Sequence, residues 1–163
     1  MGDYLHRVTD ALLASEFVPA SVRMKLMRSL GYDISPEACI WAGANLRSKK
    51  LSIGSGVFIN IGFSFDGFER LEIGDNVRIG QNVTIITATH DIGPSTQRGM
   101  VEVVGKPVTI KRGCWIGSGV TIMPGVTVAE GCVIGANALV NHSTEPDGLY
   151  AGTPARRMRD LDP

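Results

Sequence analysis

Isoleucine and valine recur along this chain at intervals of six. Ile110, Ile116, Ile122, Val128, Ile134 and Val140 form the longest unbroken run. Upstream the same step links Ile53 to Ile59, and then Ile73 to Ile79 and Ile85. The break between Ile59 and Ile73 spans Phe65–Leu71 and holds two extra residues. Ile34 and Ile40 begin the array, with irregular spacing from there to Ile53. Three residues after an apolar anchor stands Gly or Asn, at Gly43, Gly56, Asn76, Asn82, Gly113, Gly119, Gly125, Gly131 and Asn137. These two residue types enter the left-handed backbone region at least cost, so a bend every six residues is encoded. The next position is small or β-branched: Ala44, Val57, Val77, Val83, Cys114, Val120, Val126, Cys132, Ala138. So narrow a size range implies an inward site of limited volume.

A period of six fits neither a helix at 3.6 nor a single strand at 2. It fits a triangular coil of three short strands and three turns, about eighteen residues long. Such coils stack at roughly 4.8 Å. The expected fold is all-β: a left-handed parallel β-helix of hexapeptide repeats, with a short helical N-terminal segment and a C-terminal cap. We expect the helical segment over 1–33, the β-helix over 34–141 with an extended loop at 86–107, and the cap over 142–163. The ends of the stack are exposed edges that need covers. Two helical patterns precede it, Tyr4/Leu5/Val8/Leu12/Leu13 and Val22/Leu26/Met27/Leu30, and Gly31 follows as a helix stop. Arg23, Lys25 and Arg28 read as a solvated face of the second pattern. Cys114 and Cys132, eighteen apart, should lie one above the other as small core residues.

Composition narrows the function. Lys+Arg and Asp+Glu both number 16, so nothing asks for nucleic acid or an anionic membrane. Three cysteines without tight spacing do not make a disulfide framework. No stretch has the length or hydropathy of a signal peptide or membrane span. A cytoplasmic location is expected.

The run Val108–Val140, with Trp115-Ile116-Gly117-Ser118 and Met123-Pro124-Gly125-Val126, resembles the hexapeptide acyltransferases, as does Ala151-Gly152-Thr153-Pro154-Ala155-Arg156. The likeness is to the sugar O-acetyltransferase branch, which includes the maltose, galactoside and nodulation-factor enzymes. It implies transfer of an acetyl group from acetyl-coenzyme A to a hydroxyl of a sugar or sugar-like acceptor, in a homotrimer and without a metal. An amino acid or antibiotic acceptor, and a non-catalytic scaffold on the same coil, remain as alternatives.

The array is interrupted at length between Ile85 and Ile110, and long excursions in compact domains are usually functional. His90 sits where the last regular strand gives way to it. The imidazole suits proton transfer near neutral pH. From position alone, a general base and a structural surface histidine are equally good readings. The resemblance favours the base. It also implies acceptor contacts at Asn60 and Asp66, for which a ladder Asn and a turn-capping Asp are the structural alternatives. For coenzyme A it implies Trp115, Ser118, Ala136, Asn141, Arg156 and Arg159. Trp115 should face outward, and Ser118 and Ala136 should stack. Arg157 fits a solvated basic tail better. His6 is expected to be exposed, and His142 to sit at the rim of the cofactor groove. The histidines are too dispersed in sequence for the three-ligand zinc site of a carbonic-anhydrase-type β-helix.

Overall fold

The computed structural model describes Thr9 and residues 11–163. His6, Tyr4, Leu5 and Val8 lie outside the described residues. The chain winds into the expected left-handed parallel β-helix, a three-sided prism. One wall, face A, stacks β1 (Asp33–Ile34), β4 (Leu51–Ile53), β7 (Leu71–Ile73), β12 (Val108–Ile110) and β15 (Thr127–Val128). Face B stacks β2 (Cys39–Ile40), β5 (Phe58–Ile59), β8 (Arg78–Ile79), β13 (Trp115–Ile116), β16 (Val133–Ile134) and β18 (Gly148–Ala151). Face C stacks β3 (Asn45–Leu46), β6 (Ser64–Phe65), β9 (Thr84–Ile85), β14 (Thr121–Ile122) and β17 (Leu139–Val140). All these neighbours pair in parallel, while β19 (Arg156–Asp160) folds back antiparallel on β18.

The anchors and the small residues after each bend fill the prism. Ile40, Ile59, Ile85, Ile110, Ile116 and Ile122 are completely buried, as are Val77, Val83, Val120 and Cys132. All nine predicted bend residues take positive φ, from 55° at Asn82 to 80° at Gly125. Gly131 and Gly119 are the most constrained, because a Cβ would stand 2.0 Å from Asp147 Oδ1 at the first and 2.2 Å from Asn137 Oδ1 at the second. Cys114 and Cys132 are stacked, with the Trp115 N–H donating to the Cys132 carbonyl at 2.9 Å. Burial pushes the Cys114 thiol up to about 12.

Three corners join the walls, and two keep strict six-residue steps. Extra residues collect at the corner from face C to face A. Leu46 to Ile53 takes seven residues, Phe65 to Ile73 eight and Ile85 to Ile110 twenty-five. Phe65 turns out to be a regular anchor, so the first irregular residue after it is Asp66. The excursion is an antiparallel hairpin of β10 (Ala88–Ile92) and β11 (Gly99–Gly105).

The N-terminal helix α1 (Ala20–Ser29) departs from the expected orientation. Val22, Leu26 and Leu30 are exposed, while Arg23, Met24 and Met27 face the core. Arg23 is therefore not on a solvated face: it is only 2% exposed. Its guanidinium donates to the carbonyls of Leu13 at 2.6 Å, Ser15 at 2.7 Å, Val18 at 2.8 Å and Ile40 at 3.1 Å. Ile40 belongs to the first coil, so this cation covers part of the open sheet edge. A five-donor planar group can satisfy several carbonyls at once, which an apolar residue cannot. Gly31, at φ 86°, ends α1 in a Schellman motif: Tyr32 N–H reaches the Met27 carbonyl and Gly31 N–H the Arg28 carbonyl.

Candidate active site

His90 lies on β10, exposed on the hairpin arm. It pairs with Val103 of β11, and its Nδ1 stands 3.1 Å from the Glu102 carbonyl oxygen. A carbonyl can only accept, so Nδ1 carries the proton of that bond. In the neutral ring Nε2 is then the lone-pair nitrogen, the form a general base needs. Sequence reasoning could not find this orienting group, because a main-chain carbonyl leaves no side-chain signature.

The arm springs from the corner between faces C and A. The same corner carries Asp66 and, on the last coil, Asn141, which is exposed. Asp66 is half-buried and its carboxylate caps the base of the arm. Oδ2 accepts the N–H groups of Thr87 at 2.8 Å and Ala88 at 3.1 Å, and Oδ1 accepts the Thr87 hydroxyl.

The opposite end of face C holds Asn60, Ser118 and Ala136. Asn60 follows the anchor Ile59, in the column that Gly80, Gly117 and Gly135 occupy in later coils. Its Oδ1 accepts its neighbour's N–H, from Ile61, at 2.8 Å. Asn60 and Asp66 thus flank β6 on one coil. Ser118 and Ala136 stand one above the other at this corner, both exposed, and the Asn137 N–H donates to the Ser118 carbonyl at 2.9 Å. Ser118 Oγ accepts the Gln81 N–H at 3.3 Å.

Trp115 projects outward from face B, 59% exposed, in register with Arg78 and Val133. Arg156 and Arg159 are exposed on β19, paired with Ala151 and Leu149. Arg157 between them is also exposed, but it is tied to the cap rather than free. It donates to Asp160 at 2.8 Å, to Tyr150 Oη at 3.1 Å and to the carbonyls of Glu145, Pro146 and Asp147. The Tyr150 hydroxyl and then the Asp160 carboxylate hold its pKa above the usual arginine value. Pairing opposite Tyr150 brings Arg157 within reach of the carbonyls of Glu145, Pro146 and Asp147, a convergence that the triplet Arg156-Arg157-Met158 does not announce. His142 is exposed just beyond the last coil. Among the described residues, no three His, Cys, Asp or Glu side chains are placed to hold a metal, and no helix is long and apolar enough to cross a membrane.

One prism therefore offers flat walls, an extended arm and two polar corners, the architecture of the hexapeptide acyltransferases. Residues 107–142 match the family model described as bacterial transferase hexapeptide (six repeats). The galactoside O-acetyltransferase of Lactococcus lactis is 32% identical over 146 residues, covering 86% of this chain and 70% of that one. The galactoside O-acetyltransferase of Escherichia coli K12 is 32% identical over 129 residues, covering 79% of this chain and 61% of that one. A crystal structure of a hexapeptide-repeat acetyltransferase from Vibrio cholerae, complexed with acetyl-coenzyme A, superposes with a TM-score of 0.86 at 30% identity, covering 99% of this chain and 87% of that one. The chain belongs to the hexapeptide-repeat acetyltransferase family and is closely related to its sugar O-acetyltransferases.

Proposed function

We propose that this protein transfers the acetyl group of acetyl-coenzyme A to a hydroxyl of a sugar or sugar-like acceptor, with His90 as general base. The observation that carries this reading is the histidine itself: exposed on the arm, with Nδ1 pinned to the Glu102 carbonyl and Nε2 left for the acceptor. The likeness to an acetyltransferase complexed with acetyl-coenzyme A supports the donor, and the likeness to galactoside O-acetyltransferases supports the acceptor class.

In this reading His90 Nε2 removes the acceptor's hydroxyl proton as the oxygen attacks the thioester carbonyl. The tetrahedral oxyanion collapses, the carbon–sulfur bond breaks, and the departing thiolate takes the proton back from the imidazolium. The products are an O-acetyl ester and free coenzyme A. Asn60 and Asp66, on either side of β6, meet the acceptor. The pantetheine arm, a chain of amides, runs along the Ser118/Ala136 corner beside Trp115, and Asn141 meets the cofactor from the other edge of face C. Arg156 and Arg159 take the nucleotide phosphates, for which a guanidinium is well suited.

The active unit is a homotrimer. A flat prism wall cannot enclose two substrates, and deep sites arise where a second prism lies alongside. His90 of one subunit then works against the Ser118/Ala136 face of another. The exposed arm residues Ile92 and Val101, 85% and 83% accessible, are suited to burial by that neighbour.

The test is a thiol-release assay with acetyl-coenzyme A across sugars, nucleotide sugars and aminoglycosides. His90→Ala should lower turnover on the preferred acceptor roughly 100- to 10,000-fold, with the assembly unchanged by light scattering. Near-normal turnover in that variant removes His90 from the base role. A fully active monomer refutes the trimer.

A further inference from the structure

The arm that carries His90 is rooted in one threonine. Thr87 is completely buried, and each of its polar groups has a partner. Its N–H donates to Asp66 Oδ2 at 2.8 Å, and its hydroxyl donates to Asp66 Oδ1. The hydroxyl also accepts the Glu69 N–H at 2.9 Å, and the carbonyl accepts the Lys106 N–H at 2.8 Å. Asp66 and Glu69 belong to the irregular turn of the preceding coil, while Lys106 is where the chain returns from β11. Gly105, opposite Ala88 in the hairpin, presses on this turn, and a Cβ there would stand 2.7 Å from the Phe68 ring. Beyond the root, nothing comparable holds the arm: no residue from Thr89 to Val103 is buried in the subunit.

We propose that Thr87 is a positioning residue for His90, which rests on His90 being the base. Its hydroxyl, clamped between the Asp66 carboxylate and the Glu69 N–H, sets the angle at which β10 leaves the coil. His90 lies three residues along an extended strand, so about 10 Å from this pivot. A rotation of about 10° at the root would displace the imidazole by about 1.7 Å over that lever. Misplacement of a reacting group by about 1 Å can cost a factor of about 100 in rate. A buried valine has the shape of threonine but offers neither donor nor acceptor to these two partners.

The comparison is Thr87→Val against Thr87→Ser in the full chain. Turnover is read with acetyl-coenzyme A and the preferred acceptor, and amide hydrogen exchange is followed along the arm. T87V should lower kcat roughly 10- to 100-fold while KM for acetyl-coenzyme A stays within about twofold. T87S, which restores the hydroxyl, should recover most of that loss. In T87V the amides of β10 and β11 should exchange faster while those of the coils stay protected. Parent-like kcat in T87V, or an equal loss in T87S, overturns the proposal. Should T87V fail to fold, Thr87→Ala removes the same hydroxyl and carries the comparison. If the parent chain turns over no acceptor, the proposed activity fails on its own. The exchange data then decide the role of Thr87, and unchanged arm exchange rejects it.

Discussion

Replacing Arg23 by methionine isolates what one buried cation does for the N-terminal cap. The two side chains are both long and unbranched through Cγ and similar in volume, so the change mainly deletes donors. Four carbonyls lose their partner. Ser15 keeps a second one, the Val18 N–H at 3.3 Å. Of the rest, the Leu13 and Ile40 carbonyls sit on buried residues, whereas Val18 is partly open to water. Two buried carbonyls left unsatisfied cost about 1–3 kcal/mol each, so about 2–6 kcal/mol together. Against this stands the desolvation of the guanidinium, several kcal/mol, which the folded parent bears and the variant does not. Burial also lowers the Arg23 pKa, partly opposed by Cys39, which agrees in sign with such a penalty. The middle of that range, set against a desolvation of about 3 kcal/mol, leaves a destabilisation of about 1 kcal/mol, or a fall of roughly 2–4 °C in Tm for a chain of this length. Thermal melts followed by circular dichroism give the comparison, with Arg23→Lys as a partner variant. Lysine keeps the charge but cannot span four carbonyls, so R23K should fall between R23M and the parent. An R23M protein melting with or above the parent refutes the reasoning, since the carbonyls would then have found other donors at no cost.

Gly119→Ala combines left-handed strain of about 1–2 kcal/mol with a clash against Asn137, and should lower Tm by at least about 2–8 °C. Gly113→Ala, at φ 71° but with nothing nearer than 4.0 Å, should cost less, and equal melts would deny the clash a part. The Cys114 thiol, pushed up to about 12 from its ordinary 9.0, should resist an aromatic disulfide reagent at pH 8 until the chain unfolds, whereas partly exposed Cys39 reacts in the native state. Because the folded value is the higher one, the protonated thiol's contribution to stability is whole below about pH 9 and is lost as pH rises through about 12. Denaturant midpoints measured from pH 8 to 11 should therefore fall, and a Cys114→Ala variant should fall less steeply. Arg156→Ala with Arg159→Ala should raise KM for acetyl-coenzyme A while leaving kcat near the parent value, and steady-state kinetics would reject the phosphate role if KM did not move.

The prism was legible because its period is covalent. Each anchor, bend and small inward residue repeats in step, so errors in one hexad are corrected by the next. His90 was conspicuous for a related reason, standing at the first residues to leave that rhythm. The helix α1 was misread because its apolar stripe, Val22/Leu26/Leu30, is solvent-exposed, while an arginine takes the buried side. Hydrophobic periodicity carries no information about four carbonyls converging from distant segments. Thr87 escaped notice because Thr87 and Thr89 look alike in sequence, yet one is fully buried and the other exposed. Asp66 was singled out, but its hold on Thr87 and Ala88 depends on a turn two residues longer than the repeat.

All the surplus residues of this array fall on a single seam. An addition there leaves the rungs above and below undisturbed, because it is extruded sideways rather than threaded through the stack. The other two seams have no such outlet: one residue more or fewer would send every following anchor to the wrong side of its wall. Variation in length is thus channelled to the seam from which the His90 arm springs. A lineage of such chains could exchange that arm while the body of the protein stays as it is.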